Sequence, residues 1–514
     1  MSHSDANFGL LPDLGEGVPV ARFETEHMLR GRVGDEEVLL VRTDLGFRAV
    51  QAHCPHYGAP LAQGCVYDDR IYCPWHRAAF DLDDGSVCRP PALDPLKTWP
   101  VETRAGLVRV TSGDACPPTR PSLPRSRGVI VVVGAGAGGT AALVTLREAG
   151  HAGPLVLIEP EAEAPYDRPN LSKDFLEGTA PEEWLPLRSP EQWRDLEVKR
   201  IEDIAVRILS DECLVETGSG KRIGYDGLVL ATGSSARRLG IPGTEHPHVH
   251  TLRSLKDCRA LLSAADAASH AVVVGAGFLG LEAASALRSR GLSVDVIAPE
   301  EVPLMSILGT ELGMAIQAIH REHGVRFHMG NKVARIDPEG VVLKDGTHMD
   351  TDLVLLAVGA FPRTGLAESS GLMVDDGVVV DSRLRTSEEN IYAVGDIARF
   401  PHPSRNLSYR VEHWAVAASQ GRVAALNLLG HDQPFQDVPF LWTRHFGTTI
   451  QWAGYPGPWD HVLSRGSPFE GNLCARFMRG GKELAVASVG CELEGLRRQL
   501  AIARDSAPSR SEVW

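Results

Sequence analysis

The sequence predicts a multidomain chain with an N-terminal β domain, two α/β domains in the middle and a C-terminal α+β domain. Residues 1–112 contain short runs of alternating apolar and polar residues, a pattern typical of small antiparallel strands. A strand, a glycine-rich turn and a helix then follow one another twice, starting near residues 129 and 271. With 514 residues and 43% apolar content, the chain can bury several separate cores.

Two cysteines and two histidines in the N-terminal domain have the spacing of a metal centre. Cys54-Pro-His56 is followed, after a spacer, by Cys73-Pro-Trp-His76. Each half supplies one thiolate and one imidazole, which together make the donor set of a Rieske [2Fe-2S] centre. Zinc is the alternative, although zinc sites usually pair ligands of one type within each loop. The spacing therefore favours the iron-sulfur cluster, with these four residues as ligands and electron transfer as the chemistry.

The residues that follow the last ligand predict a low reduction potential. Arg77, Ala78, Ala79 and Phe80 carry no hydroxyl group, so the loops resemble those of Rieske ferredoxins rather than those of quinol-oxidising complexes. Fewer hydrogen bonds to the cluster sulfurs lower the potential. We expect the low end of the Rieske range, about −150 mV, which a donor supplied by nicotinamide can reach.

The first glycine-rich turn follows the apolar run Val129–Val133 and precedes a helical segment. Its glycines are Gly134, Gly136 and Gly139, and the next strand ends at Glu159. In a Rossmann-type fold, the first glycine allows a tight turn, the second lets a pyrophosphate approach the backbone, and the third lets helix and strand pack closely. The acid is placed to bind a ribose hydroxyl. This context predicts a dinucleotide-binding domain.

The second turn repeats the pattern with Gly275, Gly277 and Gly280. Two such folds imply two dinucleotides, FAD and either NADH or NADPH. The nicotinamide would pass a hydride to the flavin, and the flavin would pass single electrons onward. Ala298 occupies the position of the acidic residue of the first fold, and no Arg or Lys lies between it and Leu312 to bind a 2′-phosphate. NADH is therefore favoured over NADPH.

Four further motifs follow in order. They are Pro165-Tyr-Asp-Arg-Pro-Asn-Leu-Ser-Lys173, Leu230-Ala-Thr-Gly233, Ile391-Tyr-Ala-Val-Gly395-Asp396 and Glu412-His-Trp414. With these motifs the chain resembles the FAD-dependent pyridine nucleotide oxidoreductases of the ferredoxin reductase superfamily and the apoptosis-inducing-factor-like proteins. The C-terminal sequence VPFLWTRHFGTTIQWAGY resembles most closely the apoptosis-inducing-factor-like subgroup that also carries a Rieske domain.

The resemblance implies a glutathione-reductase-like arrangement of the two Rossmann-type domains. It also implies contacts with FAD from Arg168, Lys173, Ala231, Asp396 and Trp414.

A catalytic role for Lys173 and Glu282 also follows from the resemblance. The two side chains are candidates for an ion pair beside the flavin, where they would contact the cofactor. A positive charge there would stabilise the electron density of the reduced flavin and help to orient the nicotinamide.

The order of the motifs divides the chain into six segments. They are a Rieske domain (1–112), a proline-rich linker (113–127), a first FAD-binding segment (128–248), an NAD(P)H-binding domain (249–377), a second FAD-binding segment (378–438) and a C-terminal reductase or dimerisation-type domain (439–514).

These features predict an oxidoreductase that passes electrons from NADH to FAD, to the Rieske cluster and then to an external protein such as an oxygenase or a cytochrome P450. Direct reduction of a quinone, oxygen or a nitro compound at the flavin stays open, and so does a redox-sensing role like that of the apoptosis-inducing factors. Dithiol chemistry is disfavoured because the segment PNLSKDFL has no cysteine pair.

Charge and composition exclude other partners. The net charge of −14, with no Lys/Arg-rich run, disfavours nucleic acid. No apolar run of about 18 residues predicts a membrane span, and the N-terminal residues show no targeting pattern. The scattered cysteines suit a reducing compartment, so we expect a cytoplasmic protein. A homodimer is a further possibility for this chain.

Overall fold

The computed structural model describes residues 11–111 and 127–506. Its element order confirms the predicted fold class: a small β domain, two α/β domains with parallel sheets and a C-terminal domain with an antiparallel sheet. The linker expected at residues 113–127 lies outside the described residues, apart from its last position. The described residues include no helix that is both long and apolar enough to cross a membrane.

Three small sheets make up the N-terminal domain. Its strands β1 to β11 are Val18–Pro19, Met28–Val33, Glu36–Thr43, Gly46–Gln51, Cys65–Tyr67, Arg70–Tyr72, Ala79–Asp81, Val87–Arg89, Thr98–Trp99, Val101–Arg104 and Leu107–Val110. The sheet orders are β1-β11-β10, β2-β3-β4-β9 and β5-β6-β7-β8.

Strand β3 explains how this small domain builds two cores. Successive side chains of a strand point to opposite faces, so Leu39 and Val41 enter one core while Val38 and Leu40 enter the other. The first of these cores also contains Cys54 and Cys73. The predicted cluster ligands are therefore anchored in the packed interior.

The middle of the chain contains the elements β12 to β32 and α1 to α8. The strands are Ile130–Val133, Leu155–Ile158, Val198–Ile201, Ala205–Leu209, Leu214–Thr217, Arg222–Gly224, Gly227–Leu230, Ser234–Ala236, Val249–His250, His270–Val274, Ser293–Ala298, Arg326–Met329, Val333–Asp337, Gly340–Leu343, His348–Asp350, Leu353–Leu356, Ala360–Pro362, Val378–Val379, Ile391–Ala393, Ala398–Pro401 and Ser408–Tyr409. The helices are Ala137–Glu148, Asp174–Glu177, Pro190–Asp195, Leu255–Ala267, Phe278–Ser289, Met305–Glu322, Gly365–Glu368 and Trp414–Leu428.

Two parallel sheets of this region position the site. The first has the order β14-β13-β12-β18-β30 and the second the order β20-β27-β21-β22-β23. In each sheet the first strand of the motif, β12 or β21, lies between neighbours on both sides, so the strand order changes direction there. Open α/β sheets bind their ligands at this switch point, outside the carboxyl ends of the strands.

The C-terminal domain is an antiparallel sheet with one long helix. Strands β33 to β37 are Phe440–His445, Thr448–Gly454, His461–Arg465, Leu473–Arg479 and Lys482–Val489, and helix α9 is Glu492–Ser506. The sheet order is β33-β34-β37-β36-β35. Strand β33 contacts helices α5, α6 and α8, which brings it next to both dinucleotide-type domains.

Candidate redox site

The two predicted ligand loops share one backbone arrangement. In the first loop, the N–H of Cys54 donates to the carbonyl oxygen of Ala59 at 2.9 Å, and the N–H of Gly58 donates to that of Cys54 at 2.9 Å. Gly58 has a φ of +75°, a conformation that glycine adopts without steric cost.

The second loop repeats both hydrogen bonds with different residues. The N–H of Cys73 donates to the carbonyl oxygen of Ala78 at 2.8 Å, and the N–H of Arg77 donates to that of Cys73 at 3.3 Å. Arg77 has a φ of +65° and takes the place that Gly58 has in the first loop. The two loops are therefore structural equivalents around two ligand pairs.

The four predicted ligands converge as two like pairs. The thiols of Cys54 and Cys73 adjoin each other in the core, and the adjoining thiol together with burial raises the pKa of Cys54. The Nδ1 atoms of His56 and His76 lie 3.2 Å apart. Burial lowers the pKa of His56 to about 3, which keeps the imidazole neutral and able to bind a metal.

This arrangement fits a two-iron cluster. A thiol pair and an imidazole pair supply two ligands to each of two irons, whereas a structural zinc requires four ligands around one point. Within residues 11–111 and 127–506, no group of three or more His, Cys, Asp or Glu side chains is arranged to hold a single metal ion.

A cavity of about 1140 Å³ joins the two parallel sheets. All of the predicted cofactor-binding residues except Gly139, Gly275 and Gly280 line it. Its volume exceeds the usual range of about 300–1,000 Å³ for small-molecule pockets, so it has room for large ligands such as dinucleotides.

Two of the excepted glycines, Gly139 and Gly280, have a packing role. A β carbon on Gly139 would lie 1.9 Å from the carbonyl oxygen of Gly134, and one on Gly280 would lie 2.2 Å from that of the first glycine in its own turn. By contrast, a β carbon on Gly136 or Gly277 would meet no atom within 4 Å. Each turn thus leaves its second glycine open toward the cavity, at the start of a helix where a phosphate is stabilised.

Polar side chains surround the first turn. Glu159 is buried, and its Oε2 accepts the N–H of Ala135 at 2.6 Å. Asp396 accepts the hydroxyl of Ser234 at 2.7 Å and forms an ion pair with Arg253. Arg253 lines the cavity as well, although no sequence motif indicated it.

Lys173 and Glu282, predicted to pair, do form an ion pair at 2.8 Å. Both side chains are largely buried, with 12% and 6% of their surface exposed. Glu282 also accepts hydroxyl hydrogen bonds from Ser172 and Thr443, each at 2.6 Å. Because both carboxylate oxygens have partners, the carboxylate and the ammonium group beside it are held in one orientation at the cavity wall.

The cluster loops lie next to this cavity within one chain. The ring of His76 lies 4.3 Å, centroid to centroid, from the ring of Trp442, which lines the cavity. On the first loop, the hydroxyl of Tyr57 donates to Asp167 and accepts from the side-chain amide of Asn170 at 2.6 Å. The ring of Trp442 thus contacts the predicted metal site and forms part of the wall of the predicted flavin site.

Family models match three parts of the chain. A pyridine nucleotide-disulphide oxidoreductase model matches residues 128–421, a Rieske [2Fe-2S] domain model matches residues 18–100, and a reductase C-terminal model matches residues 440–513. The chain belongs to the pyridine nucleotide-disulphide oxidoreductase family. The Rieske and reductase C-terminal models match on either side of that region.

Individual relatives extend this result. Apoptosis-inducing factor 3 of Homo sapiens is 34% identical over 493 residues, which cover 91% of this chain and 80% of the relative. Rhodocoxin reductase of Rhodococcus erythropolis is 36% identical over 366 residues, which cover 70% of this chain and 86% of the relative. The predicted resemblance to both groups is confirmed.

Solved structures agree with this assignment. The ferredoxin reductase for the CYP199A2 system from Rhodopseudomonas palustris matches with a TM-score of 0.71 and 32% identity over 74% of this chain and 96% of that one. The covalent putidaredoxin reductase–putidaredoxin complex matches with a TM-score of 0.70 and 27% identity over 74% of this chain and 94% of that one. The chain is a ferredoxin-reductase-like NAD(P)H oxidoreductase with FAD and a Rieske [2Fe-2S] cluster as cofactors, as predicted.

The family description mentions disulphides, but the described part of this cavity has no cysteine in its wall. That dithiol chemistry is disfavoured stays a prediction.

Proposed function

We propose that the protein oxidises NADH and delivers the electrons singly, through its own Rieske domain, to an external protein. The observation that carries this proposal is the contact between His76 and Trp442. His76 is a predicted cluster ligand, and Trp442 belongs to the wall of the predicted flavin cavity in the same chain. When bound, FAD accepts a hydride and releases electrons one at a time, and a Rieske cluster carries one electron.

Two sets of residues hold the cofactors in this proposal. Cys54, His56, Cys73 and His76 bind the cluster. The first turn binds the FAD pyrophosphate through the open backbone at Gly136. Three polar residues of the cavity wall, Glu159, Arg168 and Asp396, bind the rest of the dinucleotide. The second turn binds the pyrophosphate of the nicotinamide nucleotide in the same way at Gly277.

Lys173 and Glu282 act at the reacting end of the cavity. The Lys173 ammonium is an oriented and largely buried positive charge. Such a charge stabilises developing negative charge more strongly than one in water does. Its orientation depends on Glu282, which Ser172 and Thr443 hold on both oxygens. Thr443 belongs to the C-terminal domain, so that domain helps to shape the site.

The preference for NADH follows from the end of β22. Glu300 and Glu301 follow this strand and are exposed, and two carboxylates there disfavour a 2′-phosphate by charge repulsion. We expect a higher kcat/KM for NADH than for NADPH, and equal values would contradict this part of the proposal.

The external acceptor is a protein of an oxygenase system. Relatives carry names such as rhodocoxin reductase and ferredoxin--NAD(+) reductase component of an anthranilate 1,2-dioxygenase system, and a solved relative serves a CYP system. An oxygenase or a cytochrome P450 is therefore the first acceptor to test. A homodimer and a cytoplasmic location stay predictions, which sedimentation and cell fractionation check.

A ligand variant separates this route from direct reduction of a small acceptor at the flavin. In Cys73→Ser, NADH-driven reduction of cytochrome c, used as a one-electron acceptor, should be lost, while reduction of ferricyanide at the flavin should continue. Cys88→Ser changes a cysteine of the same domain outside the ligand set and is the matched control. Unchanged cytochrome c reduction in Cys73→Ser would overturn the route through the cluster.

A further inference from the structure

Arg77 is a buried cation whose hydrogen-bond partners are uncharged. Its side chain is 1% exposed, and it donates to the carbonyl oxygens of Pro74 at 2.9 Å and Glu492 at 3.0 Å and to the side-chain oxygen of Gln451. Within the described residues, no carboxylate lies at ion-pair distance from it. A guanidinium stays protonated in proteins, so its positive charge is buried without a direct counter-ion.

The backbone at this position does not call for arginine. Arg77 adopts a φ of +65°, a left-handed conformation that costs a non-glycine residue free energy. The equivalent position of the first loop is occupied by Gly58, which shows that glycine satisfies the same pair of backbone hydrogen bonds. The backbone conformation at this position thus favours glycine over arginine. The presence of arginine points to a role for the guanidinium itself.

The guanidinium is close enough to the ligands for its charge to matter. Arg77 follows His76 directly, and its guanidinium donates to the carbonyl oxygen of Pro74, the residue after Cys73. The charges of Arg89 and Glu492 also act on Arg77, and because their signs are opposite, their effects oppose each other. Since an iron-sulfur cluster gains a negative charge when it accepts an electron, a nearby buried cation stabilises the reduced form.

We propose that Arg77 raises the reduction potential of the Rieske cluster and so compensates for the hydroxyl donors that the loop lacks. Arg77 is a positioning and tuning residue, because it acts on the cluster through the field at its ligands. The inference rests on the proposed ligand set and is independent of the route by which electrons reach the cluster.

The loop should keep its position when the guanidinium is removed. The side-chain amide of Gln451 donates to the carbonyl oxygens of Pro74 at 3.2 Å and Trp75 at 2.9 Å. These two hydrogen bonds fasten the same loop to strand β34 without Arg77. A change in potential in an Arg77 variant can therefore be attributed to charge, provided that a variant retaining the charge behaves differently.

The test is a mediator-coupled reductive titration with dithionite, followed by the EPR signal of the cluster, in the full-length holoprotein. For Arg77→Met we expect the equilibrium constant for cluster reduction to fall about tenfold, which corresponds to about 59 mV for a one-electron couple. Arg77→Lys keeps the charge and should stay within about threefold of the unsubstituted protein. Arg22→Met removes a surface cation of the same domain and should have a smaller effect than Arg77→Met.

An unchanged potential in Arg77→Met would overturn the proposal, and so would an equal fall in Arg77→Met and Arg77→Lys. If Arg77→Met does not retain a cluster, Arg77→Gln tests the same charge, because its amide keeps hydrogen-bond donors for the loop and carries no charge. The potential should then fall as well, and an unchanged value would overturn the proposal. Because dithionite replaces NADH, a failure of the proposed electron route cannot imitate either result.

Discussion

The two ligand loops have the same backbone hydrogen bonds but dock on different parts of the reductase. The first loop contacts the FAD-side segment through Tyr57, whose side chain is 43% exposed and bonds to Asp167 and Asn170. The second loop contacts the C-terminal sheet through the buried Arg77 and the ring of His76. The backbone hydrogen bonds around the two ligand pairs are thus equivalent, while neighbouring side chains determine which domain each loop contacts.

This difference assigns separate tasks to the loops. Trp442 and Gln451 are directly opposite each other on β33 and β34, so one face of the C-terminal sheet receives both the ring of His76 and the carbonyl groups of its loop. The second loop is therefore the one that faces the flavin cavity through an aromatic side chain. We expect the first loop to contribute less to electron transfer, because its Tyr57 contacts Asp167 and Asn170, neither of which lines the cavity.

The largest expected effect is on hydride transfer to the flavin, a step that precedes reduction of the cluster. Lys173→Met removes the positive charge beside the flavin, and we expect the rate of flavin reduction by NADH to fall about 10²-fold. Stopped-flow absorbance of the flavin measures this rate. Normal flavin reduction in this variant would contradict the catalytic role of Lys173, whereas Lys199→Met changes an exposed lysine and is the matched control.

Trp442→Leu tests the second loop. It removes the ring between His76 and the cavity, and we expect NADH-driven reduction of the cluster to slow by about tenfold to a hundredfold, the scale of misplacing reacting groups by about 1 Å. Freeze-quench EPR follows the cluster, while flavin absorbance shows whether the hydride step is retained. Equal slowing of both signals would mean that Trp442 serves the flavin site rather than the second loop.

Tyr57→Phe makes the corresponding change in the first loop and should have a smaller effect. The variant loses hydrogen bonds to Asp167 and Asn170, a change of about 1 kcal/mol for a typical hydrogen bond. We expect cluster reduction to slow by less than in Trp442→Leu under the same freeze-quench conditions. If cluster reduction were slower in Tyr57→Phe than in Trp442→Leu, the first loop rather than the second would be the one on which electron transfer depends.

Asp167 should make the stability of this contact depend on pH. Burial raises the pKa of Asp167 to about 7, and its Oδ1 has no described hydrogen-bond partner. Because the folded protein holds this proton more tightly than the unfolded chain, Asp167 should reduce stability as pH rises from about 4 to about 7, by at most about 1.4 kcal/mol per pH unit.

The comparison of Asp167→Asn with the unsubstituted protein isolates this effect. The asparagine cannot lose a proton, so the difference in thermal midpoint should move in favour of the variant between pH 5 and pH 8. A difference that stays constant over this range would show that Asp167 does not titrate there.

Local sequence patterns were enough to predict that the four candidate ligands converge and that each glycine turn joins a strand to a helix. Their geometry depends on short spacings within a loop or between a strand and a helix, and the structure places these residues as the spacings require. The pairing of Lys173 with Glu282 needed the family resemblance, because the two residues belong to different domains. The domain boundaries stay predictions.

Contacts between domains could not be predicted from such patterns. Arg77 and Gln451 are 374 positions apart in the chain, and Arg253 and Asp396 are 143 apart. No periodicity links residues at these distances, since complementary surfaces of folded domains bring them together. The position of helix α9 within the predicted α+β domain was not predicted either, although the spacing of its buried Leu496, Gln499 and Ile502 is that of a helix face.

The central claim is that NADH, the flavin and the cluster form one electron route within a single chain. Freeze-quench EPR after anaerobic mixing with stoichiometric NADH, repeated at several protein concentrations, tests it most directly. We predict a Rieske-type signal whose rate of appearance does not change with protein concentration. The claim would be contradicted if the flavin bleached and the cluster signal appeared only after dithionite was added, or if the rate rose in proportion to protein concentration.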